Sequence, residues 1–148
     1  MRYFEDFPLG ARVDSPSRTV TAQDVEQFAE LTGDFSPQHL DPEYAASTVF
    51  GKPIAHGALV FSLASGLSSQ IEPDNPALIA LFAVDEVRFL RPVFPSDAVR
   101  VSKCVVDAVE KDPRRGLIVF DTVLENQHGQ VVLSYRDSIL FKRRPEAS

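Results

Sequence analysis

Cysteine is nearly absent from this 148-residue chain, where Cys104 stands alone. A single thiol excludes an intrachain disulfide and offers no thiolate set for a metal cluster. Also missing is any apolar run near the ~20 residues needed to cross a bilayer, and no basic, apolar leader opens the sequence. Positive charge is in deficit: the net charge is −6 and the pI about 5.0. That balance argues against nucleic acid as the main partner. No internal repeat or low-complexity segment is found. What remains, 44% hydrophobic and 24% charged residues, places the chain among soluble globular proteins. Its length predicts one domain over residues 1–148, burying roughly 70% of its unfolded surface. A soluble cytoplasmic protein, with neither a membrane nor a nucleic acid as partner, is the expectation.

Punctuation divides the chain into a helical half and a β half. Pro8, Gly10 and Pro16 mark residues 1–20 as an extended lead-in. Thr21-Ala22-Gln23-Asp24 has the form of a capping box with Asp in place of Glu. Val25, Phe28 and Leu31 follow at helical spacing until Gly33. Asp41-Pro42 supplies an N-cap and a first-turn proline for a short helix to about Ser47. Residues 57–69 carry almost no charge and are apolar on most faces, so that helix must be wrapped by other elements. From residue 77 the pattern turns to strands, over 77–84, 86–89, 98–110, 116–126 and 130–141. Arg91-Pro92, Pro95-Ser96-Asp97, Lys111-Asp112-Pro113 and Gln127-His128-Gly129 separate them. Helices followed by consecutive strands predict an α+β domain, one antiparallel sheet curled around the buried helix. The tail Pro145–Ser148 is expected to fray.

The stretch Asp34-Phe35-Ser36-Pro37-Gln38-His39 carries the chemistry. At about 100° per residue, an i, i+5 pair lies about 140° apart on a helix, so a regular helix would separate Asp34 from His39. Pro37 removes a backbone donor and drives Ser36 out of the α region. The resulting bend lets a carboxylate and an imidazole converge, which is minimal equipment for proton transfer. Ser62, Ser65 and Ser69 fall at i, i+3 and i+7 on the apolar helix, a narrow polar stripe expected to face that bend. Ser62 and Ser69 are expected to bond back to i−4 carbonyls. His128 reads as a solvated hairpin residue, and Lys111, Arg114, Arg115, Lys142, Arg143 and Arg144 as solvated charge. The spacing of His39, His56 and His128 suggests no metal site.

Thr32-Gly33-Asp34-Phe35-Ser36-Pro37-Gln38-His39-Leu40-Asp41 resembles the signature of MaoC-like dehydratases, a family that includes the (R)-specific enoyl-CoA hydratases. Phe50-Gly51-Lys52-Pro53-Ile54-Ala55-His56-Gly57, ahead of an apolar helix, resembles the family's second block. The resemblance implies a hotdog fold, a long helix gripped by a strongly curved antiparallel sheet. It implies reversible addition of water to a trans-2-enoyl-CoA, giving the (R)-3-hydroxyacyl-CoA. By the same resemblance Asp34 and His39 are the catalytic pair, and the Gly57 N–H is the donor to the thioester oxygen. Ser65 matches a supporting position, and His56 is expected to shape the approach to Gly57. An acyl-CoA is then the partner, with no metal or other cofactor, and the protein is a homodimer joined sheet edge to sheet edge. Alternatives are a dehydratase for branched, dicarboxylic or carrier-bound acyl chains, a hotdog thioesterase, and a non-catalytic acyl-CoA binding protein.

The residue types suit that chemistry. Hydration needs a water made nucleophilic at Cβ, a proton for Cα and stabilisation of charge on the thioester oxygen. Positioned acid–base groups contribute roughly 10²–10⁴-fold. Gly57 opens a helix, so its N–H has no intrahelical acceptor and the helix dipole favours an oxyanion there. One such donor is typically worth about 10²–10³ in rate. Acyl-length preference is expected to rest on tunnel-lining residues, with Leu67, Ser68 and the loop before Ala77 as candidates.

Overall fold

The computed structural model describes residues 1–145, and most of the tail expected to fray lies outside the described residues. Capping chemistry sets the first helix, α1 (Ala22–Thr32). The Asp24 N–H donates to the Thr21 hydroxyl at 3.0 Å, and the Thr21 N–H donates to the Asp24 carboxylate at 2.9 Å. A cap of this kind is worth about 1 kcal/mol. Gly33 ends the helix at φ +82°, a left-handed turn that glycine adopts without strain. Val25 and Ala29 are buried, whereas Leu31 is 83% exposed, so the packed stripe is narrower than the apolar spacing predicts. Two short helices follow, α2 (Pro37–Leu40) and α3 (Pro42–Ala46), each with proline at its first position. Asp41 caps α3 as expected, accepting from the N–H groups of Glu43 and Tyr44.

The long helix α4 (Gly57–Ser69) lies against a six-stranded antiparallel sheet. Its strands are β1 (Arg12–Asp14), β2 (Arg18–Thr19), β3 (Leu78–Phe89), β4 (Ala98–Asp112), β5 (Arg115–Glu125) and β6 (Val131–Lys142). The order is β1-β4-β5-β6-β3, with β2 also paired to β4. The stretches expected as separate strands, 77–84 and 86–89, form the single strand β3. Its register against β6 shifts between Asp85 and Arg88, where Glu86 takes φ +54°, a bulge. The lead-in is more than extended chain: β1 and β2 pair with β4, and they are too short to show an alternating pattern.

The sheet's inner face follows the two-residue period of a strand. Val99, Val101, Lys103 and Val105 of β4 are buried, as are Leu133, Tyr135 and Asp137 of β6. Onto this face α4 lays Leu59, Val60, Leu63, Ala64 and Leu67. This helix on a curved antiparallel sheet is the hotdog arrangement. A second cluster of Phe4, Phe7, Val105, Ile118, Phe120 and Phe141 closes one end, and a side chain at Gly116 would overlap the Phe4 ring. Within one chain the wrapping is one-sided. Ala58, Ser62, Ser65, Gly66 and Ser69 leave a small-residue face of α4 uncovered, and edge strand β3 exposes Leu78, Leu81, Phe82 and Phe89. Among the described residues no helix is long and apolar enough to cross a membrane.

Candidate active site

The end of α1 at Gly33 and the start of α2 at Pro37 leave a three-residue link, with Asp34 at its beginning and His39 inside the next turn. This is the bend the sequence required, and it works as expected. Asp34, His39 and His56 each present a side-chain N or O atom within 4.8 Å of the others. His56 immediately precedes α4. Its ring stacks on His39 with centroids 4.0 Å apart and 30° between planes, and Phe28 packs 5.0 Å away. Both histidines are buried, while Asp34 reaches the solvent edge.

Backbone carbonyls decide where the imidazole protons sit. The His39 Nδ1–H donates to the Ile54 carbonyl at 2.7 Å. A carbonyl only accepts, so neutral His39 carries its lone pair on Nε2. The Gln38 amide nitrogen lies a long 3.5 Å from that atom. The His56 Nε2–H donates to the Asp34 carbonyl at 2.9 Å, tying the link to the head of α4, and its Nδ1 is buried with no hydrogen-bond partner. The Asp34 Oδ1 accepts from the Ser36 hydroxyl at 2.6 Å and the Ser36 N–H at 3.1 Å. Those two bonds, first the hydroxyl and then the amide, hold the Asp34 carboxyl below the usual carboxylate range. Desolvation opposes them, and the two histidines add smaller attractions. Ionised Asp34 therefore keeps Oδ2 available, beside a histidine nitrogen able to accept a proton.

The other expected residues lie where the helix takes them. Gly57 is the first residue of α4, next to His56, and a Cβ there would come 3.2 Å from the Phe89 ring. Ser65 does not join the trio within one chain. It lies eight residues further, about 12 Å along the axis at 1.5 Å per residue. There it lines a cavity of about 150 Å³ with Ser68, Lys103 and Tyr135, so Ser65 and Ser69 of the serine stripe face this cavity rather than the bend. Ser62 bonds to the Ala58 carbonyl at the expected i−4 step, but Ser69 bonds to Gly66 at i−3. Leu67 belongs to the packed core, while Ser68 does line the cavity. His128 is exposed as expected. Several cations expected to be solvated are paired instead: Arg115 with Asp112, Arg143 with Glu5 and Glu110, Arg144 with Asp6. Sequence reasoning missed the buried Lys103–Asp137 pair. The signal was present, since Lys103 interrupts the inward-facing series Val99, Val101, Val105.

The MaoC like domain family model matches residues 6–127. Protein MaoC of Klebsiella aerogenes is 35% identical over 100 residues, 68% of this chain, although the match spans only 29% of that protein's length. The (R)-specific enoyl-CoA hydratase of Aeromonas caviae is 40% identical over 96 residues, covering 65% of this chain and 69% of that enzyme. Among solved structures, a monoamine oxidase regulatory protein from Archaeoglobus superposes with a TM-score of 0.93 at 41% identity, over 97% of this chain and 96% of that chain. Both motif blocks fall inside the matched span, and the chain belongs to the MaoC like domain family.

Proposed function

We propose that this chain is a hydro-lyase that adds water to trans-2-enoyl-CoA thioesters to give (R)-3-hydroxyacyl-CoA, and reverses the reaction. One observation carries the reading: Asp34 and His39 stand side by side at the head of α4, with the Asp34 carboxyl held below the usual carboxylate range and the His39 Nδ1 engaged by the Ile54 carbonyl, which leaves Nε2 for a water. A water between them donates one hydrogen to Asp34 Oδ2 and the other to His39 Nε2. As its oxygen bonds to Cβ, one of its protons passes to the pair and is returned to Cα, so the catalyst ends as it began. The Gly57 N–H, free of intrahelical duty, meets the negative charge that builds on the thioester oxygen. His56 holds Asp34 through its carbonyl, and Ser65 supports the acyl side. No cofactor beyond the CoA thioester enters the reaction.

Similarity to the named hydratase supports the same chemistry. The uncovered faces of α4 and β3 support a homodimer, and the protein is placed in the cytoplasm by this reading. The test is hydration of crotonyl-CoA and longer trans-2-enoyl-CoAs, followed by the loss of conjugated-thioester absorbance. Folded, dimeric protein that hydrates no chain length would sink the proposal.

A further inference from the structure

At the far end of α4, the inner face of the sheet carries a charged group that hydration at Asp34 and His39 does not use. Lys103 on β4 and Asp137 on β6 are only 4% and 3% exposed, with Nζ and Oδ2 2.6 Å apart. The Thr122 hydroxyl donates to the other carboxylate oxygen at 2.5 Å, so both oxygens of Asp137 are engaged. The Lys103 ammonium has three N–H groups. One goes to Asp137 and the Phe120 ring lies 4.3 Å from Nζ, which leaves donor capacity unused among the described residues.

Two further donors stand beside it. The Ser68 hydroxyl is buried without a hydrogen-bond partner, although it lies close enough to Tyr135 to perturb that phenol. Burial first, and the Asp137 charge second, push the Tyr135 phenol up to about 12, so it remains an O–H donor at physiological pH. Ser68, Tyr135, Lys103 and Asp137 all line the cavity of about 150 Å³, whose other walls include Phe61, Leu81, Val84 and Ile139. A smaller cavity adjoins it through Ser68, Leu78, Lys103 and Ile139. Burying an ion pair is at best a neutral way to fill a core, and an apolar pair would pack the site more cheaply. Here the pair serves an open space with unclaimed donors. Because the pair is neutral overall and Asp137 is part of it, a carboxylate ligand would be repelled. A neutral oxygen on an apolar chain matches both the donors and the walls. The uncovered small-residue face of α4 runs from Gly57 to this cavity, about 12 Å to Ser65, and its short side chains leave room for a chain even beneath a covering partner.

We propose, resting on the hydratase reading, that this cavity receives the far end of the acyl chain and selects chains that carry a hydroxyl or keto oxygen there. The experiment uses the full chain and a graded series of trans-2-enoyl-CoAs, matched in length and ending in methyl, hydroxyl, methyl ketone or carboxylate. At the length that reaches the cavity, hydroxyl- or keto-ended esters should exceed their methyl-ended counterparts in kcat/KM by about tenfold, the scale of one or two good hydrogen bonds. Ser68→Ala and Tyr135→Phe should each shrink that ratio, and Lys103→Met with Asp137→Leu should reverse it. Each ratio compares two esters on the same variant, so a loss of folded protein cancels. Methyl-ended chains preferred at every length, a carboxylate-ended preference, or ratios untouched by these variants would overturn the assignment. Crotonyl-CoA is the control for the reaction itself. If it is not hydrated, the hydratase reading fails, and calorimetric binding of saturated CoA esters with the same chain ends still decides the cavity's preference.

Discussion

The two ends of α4 hold their polar groups in opposite ways. At its head, Asp34, His39 and His56 are oriented by backbone carbonyls and a serine, with no cation set against the carboxylate. At its foot, Lys103 and Asp137 spend their charges on each other, deep in the sheet. The first arrangement leaves proton acceptors open at the solvent edge. The second leaves spare donors, on a site of no net charge, around a cavity in the sheet. In the proposed reading, reactivity comes from side chains whose orientation is fixed without neutralising them, and selectivity from side chains that neutralise each other.

The largest expected effect breaks the head of the helix. Asp34→Asn or His39→Ala should lower kcat by about 10²–10⁴, while thermal unfolding and binding of a saturated acyl-CoA stay near the parent values. Turnover that survives both changes would point to a protein that binds acyl-CoA without acting on it through this pair. Next comes the foot. Lys103→Met alone strands a buried carboxylate and should cost about 3–5 kcal/mol in urea unfolding. The paired change Lys103→Met with Asp137→Leu should recover most of that loss, and a harmless single variant would show that the pair is not coupled. A smaller effect separates holding from reacting. His56→Phe keeps a ring stacked on His39 but loses the bond to the Asp34 carbonyl, so kcat should fall about five- to tenfold, the worth of one hydrogen bond. The smallest sharpens the role of Ser36. The Asp34 carboxyl is held below the usual carboxylate range, so the limb of the kcat/KM profile that belongs to Asp34 lies at correspondingly low pH. Ser36→Ala removes the strongest of the stabilising bonds and raises that pKa, so the acid limb moves to higher pH. The Ser36 N–H remains, and the shift is partial.

Local chemistry was the legible part. The Thr21 box, the Gly33 stop, the Asp41 cap and the apolar run of α4 all declare themselves within a few residues, and all four stand in the structure. The convergence of Asp34 with His39 was legible as well, because Pro37 allows no regular helix through it. What orients the pair was not. The Ile54 and Asp34 carbonyls that set the two histidines are 15 and 22 residues from the rings they hold. The bulge at Glu86 depends on pairing with β6, which no local pattern encodes. Ser65 suited a site at the bend by family pattern, yet its position two turns down α4 puts it at the cavity instead.

The two borders of the sheet are unequal. On one side β1 and β2 are fragments of three and two residues on β4, and on the other β3 runs twelve residues with its outer backbone unpaired among the described residues. A second copy adding along β3 would consume the longest strand at a sheet border among the described residues, and the fragments on the other side would offer a poor template for a third. Growth along the sheet direction would therefore terminate after one step. The bulge at Glu86 narrows the registers in which that step can occur. The same asymmetry that leaves apolar surface open on one side would then guard against growth into a filament.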